Sequence, residues 1–177
     1  MKHRLFHFVL LLALMLSGDP ACGQGSPGVK KPRTPDDYKA RTLKEIAAAG
    51  VDEKSRRDKE DTRAIHPDIL PSRVRVIYTG SRRPLPQIKK DVIAQWARLY
   101  AGSPEHYTKP YETEMLFTEQ GVAHWLAVQE KSLPDFEKEL KKGRKVDLYL
   151  IRLGSSRTTG RKWEPVLLVE SFKAGVK

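Results

Sequence analysis

Residues 111–129 read "YETEMLFTEQGVAHWLAVQ". Apolar and polar residues alternate on both sides of Glu119-Gln120-Gly121, which predicts two strands joined by a tight turn. Tyr111, Thr113, Met115 and Phe117 share one face of the first strand. In the second, Val122, His124, Leu126 and Val128 alternate with Ala123, Trp125 and Ala127. An isolated hairpin is marginal in water and needs further strands or a helix to bury its apolar face.

The flanking sequence supplies both. Upstream, "SRVRVIYTG" sets Val74, Val76 and Tyr78 against Arg73, Arg75 and Ile77, a half-buried strand ended by Gly80. "SRRPLP" then reads as a loop. "QIKKDVIAQWARLYAG" places Ile88, Val92, Ile93, Trp96, Leu99 and Tyr100 on one side of a helix that stops at Gly102. Downstream, "SLPDFEKELKKG" predicts a short helix with Ser132 as cap, Pro134 in the first turn and Gly143 at the stop. "KVDLYLIRLG" and "WEPVLLVESF" are two further strands, joined by the loop "SSRTTGRK". The order is strand, helix, strand, strand, short helix, strand, strand. It predicts an α+β fold: a curled antiparallel sheet, or a small OB-like barrel of about five strands, packed with the helix through Val92 and Trp96. A helix between the third and fourth strands belongs to the OB pattern. The helix after the first strand departs from it.

Ahead of this domain, "TPDDYKARTLKEIAAAG" predicts one helix. Thr34 caps it, Pro35 takes the first position, Asp36 and Asp37 face the positive dipole end, and Gly50 stops it. Tyr38, Leu43, Ile46 and Ala47 give it a modest apolar face. Residues 52–63 are almost wholly charged and read as a solvated helix or tether.

The N-terminus carries an export pattern. Lys2 and Arg4 precede an apolar run over residues 5–16, broken only by His7. That run is shorter than the ~20 residues a spanning helix needs. Ala21-Cys22-Gly23 offers small residues for cleavage before Gln24. The expected organisation is a signal peptide over 1–23, a flexible leader and charged helical arm over 24–68, and a single α+β domain over 69–177. The expected location is secreted or periplasmic, with no transmembrane helix in the mature chain. Cys22 is the chain's one cysteine, and it leaves with the signal. Disulfides and thiol chemistry leave with it. Asp19, three residues before Cys22, fits a lipoprotein site poorly; a lipid anchor on Cys22 is the alternative.

From Gln24 onward, 31 Lys and Arg stand against 21 Asp and Glu. Such an excess favours anionic partners, here an envelope polymer or lipid, with nucleic acid as the second choice. Plain solubility is the competing explanation. The excess concentrates in residues 138–163, where nine basic residues face two acidic ones. The anion-binding candidates are Lys141, Lys142, Arg144 and Lys145 in one connection, Arg157, Arg161 and Lys162 in another, and Arg73 and Arg75 on the first strand. Trp125 and Trp163 are candidates for an aromatic platform beside them; aromatic residues in strands also serve as plain packing.

Catalytic signatures are lacking. His66, His106 and His124 sit in no recognised nucleophile or zinc setting, and His124 reads as a half-buried strand histidine. No catalytic residue, metal or cofactor is assigned. Glu112, Glu114 and Glu119 read as outward-facing strand charges that discourage edge pairing, with a carboxylate pair for glycoside hydrolysis as the alternative. The expected function is an exported binding or accessory protein with a basic surface. An OB-like single-strand nucleic-acid binder and a motif-less hydrolase are the alternatives.

"FEKELKKGRKVDLYLIRLG" followed by "WEPVLLVESF" resembles an uncharacterised group of small exported bacterial proteins with an OB-like C-terminal part. The shared features are a helix ending in Lys-Gly, a strand of the "VDLYLIRLG" kind and a closing "VLLVESF" strand. They cover the last third of the chain. The resemblance implies a bacterial secreted protein and no particular activity.

Overall fold

The computed structural model describes residues 33–49, 63–65, 70–102, 105–157 and 163–175. The signal stretch, the leader to residue 32, residues 50–62 and His66 lie outside them. In chain order the elements are β1 (Lys39–Ala40), α1 (Leu43–Ala48), β2 (Arg63–Ile65), β3 (Ser72–Pro84), α2 (Gln87–Tyr100), α3 (Glu105–Thr108), β4 (Thr113–Glu119), β5 (Val122–Val128), α4 (Leu133–Glu139), β6 (Lys145–Arg157) and β7 (Trp163–Ala174).

The sheet runs β1-β3-β4-β5-β7-β6-β2, and a further pairing of β3 with β6 closes five strands into a ring. All neighbours within the ring are antiparallel except β5 and β7, which meet in parallel at Ala127–Leu168 and Val128–Val169. The fold is α+β, and the small OB-like barrel forms in place of a wholly antiparallel sheet. Its interior holds Val74, Val76, Tyr78, Met115, Phe117, Leu126, Val146, Leu148 and Leu150. These are the inward positions of the period-2 pattern. The hairpin turn falls where the alternation breaks. Gln120 and Gly121 both take positive φ (50° and 82°), the mirror-image turn that matches strand twist.

Two helices close the ends of the barrel. α4 follows β5 and drives Phe136 into the core, where its ring stacks on Phe172 at 4.0 Å. α1 lies at the opposite end, beside Glu119, and contributes Leu43 and Ile46 to the same core. A second apolar layer lies outside the ring. There α2 presses Val92, Ile93, Trp96 and Ala97 onto Ala127, Ile151, Leu153, Val166 and Leu168.

Three local expectations change. The N-terminal stretch is not one helix. Thr34 and Asp37 close a short 3-10 turn on themselves, and Thr42 and Glu45 form a second capping box that starts α1 afresh. Between them β1 pairs with β3 at Lys39–Ser72, so Tyr38, Leu43 and Ile46 bury against the barrel. β3 does not end at Gly80. Gly80 takes φ 81°, the strand bulges between Tyr78 and Arg82, and pairing with β4 resumes through Pro84. On α2, Val92, Ile93 and Trp96 bury as expected, but Leu99 and Tyr100 reach solvent at the helix end. No helix among the described residues is long and apolar enough to cross a membrane.

Candidate functional site

The basic candidates separate into groups with different partners. Arg73 and Arg75 alternate outward on β3 between buried Val74 and Val76. Arg75 faces Asp147 across β6 and grips it with Nε at 2.7 Å and Nη2 at 2.9 Å. The hydrogen bond to Arg75 holds the Asp147 carboxyl below the usual carboxylate range. Arg75 is therefore largely neutralised, while Arg73 has no ion-pair partner among the described residues.

Lys141, Lys142, Arg144 and Lys145 form the turn from α4 into β6. Backbone bonds pin this turn to β3: Gly143 N donates to Tyr78 O at 2.8 Å, and Tyr78 N donates to Arg144 O at 2.9 Å. The Cβ of Lys142 packs beside Gly80 in the β3 bulge. None of the four cations has an ion-pair partner among the described residues. Three are exposed and Arg144 is half-buried. The turn presents concentrated positive charge on a rigid support.

Arg157 stands at the other end of β6, opposite Trp163, with its guanidinium 5.6 Å from the indole centroid. Arg161 and Lys162 lie outside the described residues. Lys145 and Arg157 bound a 13-residue strand, on the order of 35–40 Å from end to end at the usual rise. The 141–145 turn and Arg157 thus project from opposite ends of β6 and form no single patch. Trp125 and Trp163 are both half-buried and belong to neither apolar core.

Between the 141–145 turn and α2, no helix among the described residues covers the outer face of β3, β4 and β5. Lys145, Ile77, Thr118 and Ala123 form one row across four strands. Leu116 and Trp125 pair in the next row toward α2, and Arg83, Glu114 and Ala127 align in a third. Ile77 is 39% exposed. The Arg83 guanidinium lies over the Trp125 ring at 4.2 Å.

A buried charge cluster holds that guanidinium in place. Glu114 is fully buried where α2 begins to cover the sheet. Its Oε2 accepts from Nε and pairs with Nη2 of Arg83, each at 2.8 Å, and its Oε1 accepts from Lys89 Nζ. Lys89 lies 3.5 Å from Glu164 of β7 as well. The three candidate carboxylates therefore have separate structural duties. Glu112 pairs with Lys90, Glu114 joins α2 to the sheet, and Glu119 accepts from the backbone N–H groups of Leu43 and Lys44 at the start of α1. Glu114 lies on the outer face of β4, as the strand alternation suggested, but it is buried there against Lys89 of α2 and is no exposed edge charge. His124 is half-buried, as expected, and has an interaction partner.

Sequence reasoning missed Arg83, Lys89 and Glu114 as a unit. The stretch "SRRPLP" reads as a loop because Gly80 reads as a stop. A glycine within an alternating pattern also marks a bulge, and that is its role in β3. No protein-family model, curated protein or solved structure matches this chain.

Proposed function

We propose that this chain is an exported, OB-like binding module of the bacterial envelope that holds an anionic partner, a polymer or a lipid, against the turn at residues 141–145. One observation carries the reading: the turn that carries Lys141, Lys142, Arg144 and Lys145 is pinned to β3 through the backbone of Gly143 and Arg144, and the four cations have no ion-pair partner among the described residues. Four neighbouring cations repel one another, so an anion that bridges them relieves that repulsion. A turn whose backbone is already fixed also loses little freedom on binding. OB-like barrels bind chain molecules on the outer face that here lies beside this turn, an analogy of fold that supports the placement and does not name the ligand.

Export rests on the charged start, the short apolar run and the small residues before Gln24. The binding test is fluorescence anisotropy of the purified chain with labelled heparin, anionic vesicles and single-stranded DNA across a salt series. The expected result is tight binding at low salt that weakens steeply as salt rises. Absence of binding to all three at low salt would leave the charge as a solubility device and overturn the reading.

A further inference from the structure

We infer that the outward plane of the Arg83 guanidinium is a stacking site for an unpaired nucleobase, so that the anionic partner is a single-stranded nucleic acid. The inference rests on the anion-binding reading above and narrows its partner.

Four observations carry it. The guanidinium covers the Trp125 ring at 4.2 Å. A sugar stacks its C–H face on an open aromatic ring, and here it meets a cation on that face. A nucleobase stacks readily on a guanidinium plane. Second, the plane is preset. Nε and Nη2 both engage Glu114 Oε2, and Lys89 occupies Oε1, so the buried carboxylate is held from both sides. Little side-chain freedom is then lost on stacking. Third, the Arg83 side chain remains 39% exposed, and its Nη1 has no partner among the described residues. One edge of the fork is committed to Glu114, and the other is left for the exposed part of the side chain. Fourth, the route from Arg83 to Lys145 crosses Leu116, Thr118 and Ile77, which carry no charge. Strand geometry makes that route on the order of 15 Å long. A strand with its base on Arg83 can lie on this neutral surface and bring phosphates to the cations at 144 and 145.

The test compares the full chain and its Arg83→Lys variant by fluorescence anisotropy. The probes are a labelled 12-nucleotide oligothymidylate, an abasic deoxyribose-phosphate strand of equal length and charge, and heparin. The native chain is expected to bind oligothymidylate about tenfold tighter than the abasic strand, the usual scale of one stacked base. Arg83→Lys keeps a cation beside Glu114, and it is expected to bring the two affinities within about twofold with the salt slope unchanged. Equal binding of the two strands by the native chain would overturn the base site and leave the anion-binding reading standing. Tighter binding of heparin than of oligothymidylate at equal salt would assign the face to a glycan and overturn it too. Failure of all three probes would overturn the base site, and failure of anionic vesicles as well would overturn both readings together.

Discussion

Lys89 Nζ lies 2.5 Å from Glu114 Oε1, with 3% and 0% of the two side chains exposed. This ion pair joins the first turn of α2 to the outer face of β4, and Arg83 completes it from β3. Removing one buried partner leaves a charge without compensation. Glu114→Gln is expected to cost about 3–5 kcal/mol, read as a lower urea midpoint at unchanged slope. The paired replacement Glu114→Leu with Lys89→Met is expected to recover most of that loss. A single variant as stable as the native chain would show that the pair does not hold α2.

Glu119 holds α1 over the barrel end through the N–H groups of Leu43 and Lys44. Glu119→Ala is expected to lower stability by about 1 kcal/mol, as for the loss of a helix cap. The readout is hydrogen exchange. Amides of α1 should lose protection while those of β6 keep theirs. Uniform loss across the domain would contradict a local capping role.

The bulge at Gly80 depends on its positive φ of 81°. Gly80→Ala is expected to cost about 1–2 kcal/mol by thermal or urea unfolding. Space is not the cause, since a new β-carbon would meet Lys142 at an ordinary 3.7 Å. Gly80→Asn, which tolerates this conformation better, should lie between the two. Equal losses for Ala and Asn would point to contact in place of backbone strain.

At alkaline pH the relevant group is Tyr38. Burial first, and its hydrogen bond to Glu170 second, raise its hydroxyl well above the ordinary tyrosine range. A raised folded-state value means the contribution is complete below about pH 10, where an unfolded tyrosine ionises. It declines as pH climbs from there toward the folded value. Tyr38→Phe should therefore be less stable than the native chain at pH 8, and the difference should shrink in urea titrations above pH 10. A difference independent of pH would refute the assignment.

Much of the barrel was readable in the sequence because its strands keep period 2. Val74, Val76 and Tyr78, then Met115 and Phe117, occupy the inward positions that the alternation assigns. The Val92 and Trp96 side of α2 was readable from period 3.6. What could not be read depends on partners distant in sequence. Glu114 alternates like a surface residue, and only Arg83 and Lys89, 31 and 25 positions away, make its burial affordable. Arg75 and Lys145 look alike in the sequence, yet one is neutralised by Asp147 and the other has no ion-pair partner among the described residues. The break in the N-terminal helix was visible in principle. Thr42 and Glu45 repeat the Thr34 and Asp37 spacing, and two caps eight residues apart imply two starts.

Export has its own test. The mass of the chain recovered from the secreted or periplasmic fraction is expected to match a start at Gln24. A diacylglyceryl adduct on Cys22 would instead make it an anchored lipoprotein.

The most direct measurement is the salt slope of oligothymidylate binding for the native chain against Lys141→Glu with Arg144→Glu. Each phosphate contact contributes about 0.7 to that slope on a single strand. The double variant is expected to lose at least about 1 from the slope and more than tenfold in low-salt affinity, while unfolding at the native urea midpoint. An unchanged slope and affinity in a folded variant would mean that the 141–145 turn does not hold the anionic partner.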